Sequence, residues 1–310
     1  MATQHPALGA IGHTPLVQLQ RIVPAGSARV LVKLESANPT GSMKDRVAQA
    51  MVQAALKDGR LTLGGTVVEY TGGTTGVSLA YVCAALGLRS HFVSSDAFSE
   101  EKLRTIRAFG GELTLIPSDD KRITRELIES MIAKAKALSQ QPGHWLCDQL
   151  GNRDGEAGYH ALGEELWQQA GGRIDAFVQS VGSAHSLQGT ATALRRHNPS
   201  VRIVAAEPAE SPVLSGGTPG AHRIEGIGVG FVPPLWRVDD VHEVQSASTD
   251  ESNEMARRLA REEAVFTGTS SGLNVIAALR VAARLGPNAT VATLAIDSGL
   301  RYLSTDVFGR

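Results

Sequence analysis

The chain has 310 residues, 42% of them hydrophobic, and a formal net charge of −1. That length supports a large core, usually divided between two domains, and the charge balance gives no reason to expect nucleic acid or an anionic membrane as partner. No apolar run approaches the about 20 residues of a spanning helix, and the start MATQHPALGAIG lacks the basic segment and apolar stretch of a signal peptide. A cytoplasmic, soluble protein is expected. The two cysteines, Cys83 and Cys147, sit among apolar neighbours without clustered partners, so neither a disulfide framework nor a metal site is expected.

Short apolar runs alternate with helical patterns along the chain. Residues 30–34 read as a strand, and 46–57 has helical spacing through Val47, Met51, Ala54 and Ala55. A strand at 67–70 leads to a helix at 75–86. Strands at 91–93 and 113–116 precede helices at 101–109 and 124–138. Residues 176–178, 203–205 and 291–294 read as buried strands of a second sheet, with helices at 187–196, 250–263 and 273–285. Arg195-Arg196 and Arg257-Arg258 fall in amphipathic helical patterns and read as solvated faces. The alternation predicts an α/β protein of two domains, each a mostly parallel twisted sheet flanked by helices. Glycines between 151 and 158 interrupt the pattern and suggest a domain change there. In such sheets, ligands bind where strands end and helices begin.

Asn38-Pro39-Thr40-Gly41-Ser42-Met43-Lys44-Asp45-Arg46 joins a strand to a helix. Pro39 and Gly41 suit a turn, and Ser42 suits a helix cap. Lys44 then falls in the first helical turn, at the positive end of the dipole. A cation is disfavoured there, which favours the neutral amine that imine formation requires. On these features alone the alternative is an exposed lysine beside Asp45.

This segment resembles the lysine motif of the cysteine synthase and cystathionine β-synthase family, the β-family (fold type II) of pyridoxal phosphate enzymes. Ile11-Gly12-His13-Thr14-Pro15-Leu16-Val17, Gly226-Ile227-Gly228-Val229-Gly230-Phe231 and Arg301-Tyr302-Leu303-Ser304-Thr305 extend the resemblance in family order over essentially the whole chain. It implies that pyridoxal 5′-phosphate is the cofactor and that Lys44 binds it covalently. It also implies a domain of residues 35–151, smaller and mobile, that takes the substrate carboxylate. Residues 1–34 plus 152–310 would form a larger domain that takes the cofactor phosphate, and the protein would be a homodimer.

Three loops carry the remaining assignments. Thr71-Gly72-Gly73-Thr74-Thr75-Gly76 suits a tight turn, and glycines before a helix also let a backbone approach an anion. It resembles the family's T-S-G-N-T loop, which implies a carboxylate site of Thr71, Gly72, Thr74, Thr75 and Gln149. Gly72 replaces the usual serine, and Thr74 replaces an asparagine that contacts the cofactor. Val181-Gly182-Ser183-Ala184-His185-Ser186 resembles the phosphate loop G-T-G-G-T, with Ala184 and His185 in place of two glycines. Any positive φ there now carries a cost. His185 either adds a contact to the phosphate or is a surface histidine. Gly228 joins the cofactor set by the same resemblance. Gly268-Thr269-Ser270-Ser271-Gly272 resembles G-I-S-S-G, which implies that Ser270 meets the pyridine nitrogen; read by itself, Ser270 is a candidate helix cap.

The expected chemistry is β-replacement on an O-activated serine, with Lys44 as general base and closure of the smaller domain excluding water. Cysteine synthesis from O-acetylserine and sulfide leads. O-phosphoserine or another donor, another nucleophile, a dehydratase-type elimination, and a catalytically degenerate binding homologue are the alternatives. Arg223, near Gly226, reads as a phosphate contact or a surface arginine.

Overall fold

The computed structural model describes residues 5–120 and 124–309. In chain order its elements are β1 (Leu16–Gln18), β2 (Arg29–Leu34), α1 (Lys44–Asp58), β3 (Thr66–Tyr70), α2 (Thr74–Leu86) and β4 (Arg89–Ser95). There follow α3 (Glu100–Ala108), β5 (Glu112–Ile116), α4 (Arg125–Ser139), β6 (His144–Leu146), α5 (His160–Gln169) and β7 (Ala176–Ser180). The last are α6 (His185–His197), β8 (Arg202–Pro208), β9 (Glu243–Ala247), α7 (Thr249–Glu263), α8 (Thr269–Leu285) and β10 (Thr290–Ala295).

The chain divides into two compact units. The first is Lys44–Gly158 with the segment ending at Ile11. Its sheet has the order β5-β4-β3-β6, all parallel. Val68 and Val93 pack with Leu127, Met131 and Ala135 of α4 on one face. Alternation turns Val67, Glu69 and Phe92 to the opposite face, where they too are buried, and α2 packs against β3 and β4.

The second unit is Gly12–Met43 with Tyr159–Arg310. Its sheet runs β1-β2-β10-β7-β8-β9, parallel except for the β1–β2 pair. The central strands β7 and β10 are buried at every position, as expected of parallel strands covered on both faces. A buried charge also lies in this core. Lys33 of β2 is fully buried, and its ammonium meets Glu165 Oε2 at 2.7 Å and donates to Thr14 O at 2.6 Å. A buried cation persists only with such partners.

The unit boundaries differ from the sequence expectation of 35–151. Residues 35–43 stay with the larger unit because backbone bonds tie them to the end of β10. Met43 N donates to Ile296 O at 2.9 Å, Ser298 N to Gly41 O at 3.0 Å, and Ser42 forms a bridge with Asp297. At the other end the smaller unit runs on to Gly158, where an added Cβ would stand 2.5 Å from Arg46 O. That close approach holds residues 152–158 against α1.

Candidate active site

Lys44 opens α1 as its first residue and is half-buried, with Asp45 buried beside it. The preceding turn is fixed by Gly41 N donating to Asn38 O at 2.8 Å, and Gly41 adopts φ +77°, where a side chain is strained. The lysine therefore stands at a helix start whose entry is anchored, as the sequence implies.

The 71–76 segment links β3 to α2. Gly73 is the N-cap of α2 at φ +122°, with no side-chain cap and no acidic residue in the first turn. Thr71 Oγ1 accepts from Gly73 N and Gly76 N, both at 3.0 Å, which leaves its own hydrogen uncommitted to another described residue. Thr75 Oγ1 donates to Gln149 Oε1 at 2.8 Å, and Gln149 Nε2 donates to Tyr70 O at 3.0 Å. Thr71, Gly72, Thr74, Thr75 and Gln149 are thus gathered at one strand end and helix start. The glycine at 72 has a physical reason. A Cβ there would lie 2.9 Å from Cε1 of Phe98, whose ring fills that space. At Gly73 the stem of Lys102 plays the same part, 2.6 Å from an added Cβ.

The phosphate-loop candidates lie between β7 and α6. Ala184 is the N-cap of α6 in the left-handed region at φ +74°, so the cost expected for this substitution is present. His185 is 2% exposed, and its Nδ1 lies 2.8 Å from Ser183 Oγ. It is not the surface histidine that the sequence left open. Ser186 Oγ accepts from Gln179 Nε2 at 3.3 Å. Gly182 is required by its neighbour: a Cβ would stand 2.6 Å from Gly226 O. Gly228 N donates to Val181 O at 3.2 Å, which brings the 226–230 stretch beside the loop. Gly228 adopts φ +60° and its Cβ position is occupied by His222 Nε2 at 2.6 Å.

Ser270 is the second residue of α8 and 2% exposed; its hydroxyl bonds to no other described residue. The N-cap is Gly268, not Ser270, and it must be glycine because the Tyr302 ring would meet its Cβ at 2.3 Å. Ser271 instead serves the backbone, accepting from Ile296 N at 2.8 Å. Arg223 is a surface arginine, 67% exposed between Asp250 and Asp306, so the phosphate reading falls.

Several site neighbours were not legible as such. Glu69, fully buried, accepts from Gln149 N at 2.9 Å and from Tyr70 N at 3.1 Å. Burial pushes its carboxyl up to about 8, an effect that the Asp148 charge reinforces. In the other unit Ser180 Oγ, both amide atoms of Gln188, and Thr269 Oγ1 are buried without a hydrogen-bond partner. Nothing in the local sequence marks these groups, since burial and pairing arise only from the tertiary fold.

Those orphaned groups test whether pyridoxal phosphate fits. They flank the N-termini of α6 and α8, neither of which has a side-chain cap or an acid in its first turn. Free N–H groups at helix starts bind anions, and buried polar groups left without partners expect one. The residues present fit the cofactor.

Comparison with known proteins agrees. Residues 7–297 match the family of pyridoxal-phosphate dependent enzymes. A cysteine synthase of Staphylococcus aureus is 40% identical over 300 residues, 96% of this chain and 95% of that protein. The crystal structure of a cysteine synthase from Entamoeba histolytica superposes with TM-score 0.91 at 34% identity, covering 98% of this chain and 90% of that one. An O-acetylserine dependent cystathionine β-synthase from Helicobacter pylori superposes at 0.90 with 35% identity, covering 97% and 98%. The chain belongs to the pyridoxal-phosphate dependent enzyme family, with the cysteine synthase fold, and pyridoxal 5′-phosphate is its cofactor.

Proposed function

We propose that this enzyme makes cysteine by β-replacement, from O-acetylserine and sulfide. The observation that carries the reading is the set of three uncapped, acid-free helix starts on α2, α6 and α8, together with Lys44 at the start of α1. Cysteine synthase relatives that match this chain along its whole length support it.

Bound pyridoxal phosphate supplies the electron sink that acidifies the substrate α-carbon. The chain's own residues do the rest. Backbone N–H groups at the start of α6, with Ser183 and Ser186, hold the phosphate, and Gly182 and Gly228 let the backbone come close. His185 orients Ser183 through its Nδ1 contact. Ser270 offers a neutral hydroxyl to the ring nitrogen. Thr71 donates its uncommitted hydrogen to the substrate carboxylate, beside the N–H groups of Gly72, Thr74 and Thr75. The Thr75 hydroxyl now donates to Gln149, so it must rotate to reach the carboxylate, and Gln149 keeps one amide hydrogen for the same anion. Lys44 Nζ would hold the resting cofactor; set free when the substrate amine takes its place, it would take the α-proton as acetate leaves the β-carbon and return it once sulfide has added there. The smaller unit takes the carboxylate, and the larger unit takes the cofactor.

The test is a cysteine assay on the purified protein with pyridoxal phosphate, O-acetylserine and sulfide. Cysteine formation that disappears in Lys44→Ala establishes the reading. A cofactor-loaded protein that ignores O-acetylserine but uses O-phosphoserine reassigns the donor. Failure to take up pyridoxal phosphate overturns the enzyme. We also propose a homodimer, as the family resemblance implies, checked by light scattering at twice the chain mass.

A further inference from the structure

We propose that Glu69 is a positioning residue for the substrate carboxylate, acting through Gln149. The proposal rests on the carboxylate site assigned above. Glu69 lies on the next-to-last position of β3, the strand between β4 and β6. Its two carboxylate oxygens have separate tasks. Oε1 accepts from Tyr70 N at 3.1 Å, and Oε2 accepts from Gln149 N at 2.9 Å.

Those two bonds fix both ends of a small frame. Tyr70 O accepts from Gln149 Nε2 at 3.0 Å, and Gln149 Oε1 accepts from Thr75 Oγ1 at 2.8 Å. The Glu69 carboxyl therefore holds the backbone at 149 and the peptide at 70, which together aim the Gln149 amide. Position 148 gives a second reason for such a clamp. Asp148 has φ +54°, an αL conformation unfavourable for a residue with a side chain, and it lies directly before Gln149. Loss of the clamp lets this segment relax.

The groups facing the carboxyl do not provide another explanation. Asp148 adds a like charge, Tyr70 and Cys147 are neutral at ordinary pH, and the Arg60 guanidinium is engaged by Asp58 and Asp154. Among the described residues no cation bonds to this carboxyl, and it is fully buried. Its geometry is that of a bracket for two N–H donors.

The experiment compares wild type, Glu69→Ala, Glu69→Gln and Gln149→Ala, each loaded with cofactor. Three quantities are read: kcat and KM for O-acetylserine, and the Kd for 3-acetoxypropanoate by calorimetry. That probe carries the donor's carboxylate without its amine. Glu69→Ala is expected to raise both KM and the probe Kd by about tenfold, with kcat within about threefold of wild type. In Glu69→Gln the amide nitrogen must face either Tyr70 N–H or Gln149 N–H, donor against donor, so the loss is intermediate. In the Gln149→Ala background, Glu69→Ala should add less than about twofold, because its effect passes through Gln149. Circular dichroism checks folding, and if the alanine variant is unfolded the glutamine variant carries the comparison.

Folded variants with wild-type KM and probe affinity overturn the proposal. So does a fall in kcat with KM unchanged, or a full effect of Glu69→Ala without Gln149. A wild type that makes no cysteine overturns the proposed activity, while the probe Kd still decides the role of Glu69. A wild type that does not bind the probe overturns the carboxylate site and the role of Glu69 with it, while the cysteine assay still decides the activity.

Discussion

The loop after β3 and the loop after β7 are built alike: a buried parallel strand, a tight turn, and a helix start without a side-chain cap. They differ in how their polar groups are left. In the first, Thr71, Thr75, Gln149 and Glu69 bond to one another or to nearby backbone. In the second, Ser180 Oγ and the Gln188 amide are buried without partners, and in the same unit so is Thr269 Oγ1 beside Ser270. Each unsatisfied buried group costs about 1–3 kcal/mol. Such a cost is tolerable where a resident group takes it up throughout the enzyme's working life. A substrate arrives and leaves with every turnover, so the loop that receives it must be stable on its own. The contrast fits the proposed division into a cofactor half and a substrate half.

The largest expected effect removes the group on which both halves depend. Lys44→Ala should lower cysteine formation by at least about 10³-fold, the scale of a lost general base that is also the covalent anchor. The pyridoxal absorbance should then wash out on dialysis. A Lys44→Ala protein with near-normal turnover would detach the chemistry from the start of α1.

Adding cofactor to stripped enzyme sharpens the comparison directly. At a thousandfold excess over Kd, pyridoxal phosphate should add about 4 kcal/mol of stability. Hydrogen exchange should slow at the starts of α6 and α8. The start of α2, which the proposed function gives to the substrate carboxylate, should change far less. Equal protection of all three helix starts would contradict the division drawn from the orphaned groups.

Much of this arrangement was legible in the sequence, for identifiable reasons. Strands such as β7 and β10 are continuous apolar runs because both faces are covered, and helices such as α7 carry a full amphipathic pattern behind the Ser248 capping box. What escaped was short or at an edge. β1 and β6 have three residues each, too few for periodicity, and β9 is a half-exposed edge strand. α5 was hidden after the glycine-rich approach at 151–158. The family resemblance marked Gly72 as a departure, but only the position of the Phe98 ring explains it. Glu69 was equally invisible, because a glutamate inside a strand declares nothing about its partners.

The substrate half has its own point of sensitivity. The Glu69 carboxyl ordinarily titrates at 4.5 and is pushed up to about 8 in the fold, chiefly by burial. A carboxyl raised in this way favours the folded state while it is protonated. That stability is fully present below 4.5 and is lost as pH rises through about 8. The loss should be a few kcal/mol, read as a falling melting temperature of the smaller unit between pH 4.5 and about pH 8. Glu69→Gln should flatten that slope. An unchanged slope would assign the pH dependence to another group.

The smallest effect tests the cofactor half. Ala184 holds φ +74° at the start of α6, in the left-handed region that opposes a Cβ. Ala184→Gly removes that opposition and loses no side-chain hydrogen bond. Glycine is more flexible in the unfolded chain, so part of the gain is offset. The net should be about 0.5–1 kcal/mol in favour of the fold, a rise of about 1–4 °C in melting temperature for a unit of this size. The N–H groups of residues 184–186 stay in place, so pyridoxal phosphate should bind at least as tightly. A lower melting temperature, or weaker cofactor binding, would mean that the methyl group supports the loop through packing. The sequence departure at 184 would then be part of the phosphate site's construction, where the backbone geometry marks it as a strain the site carries.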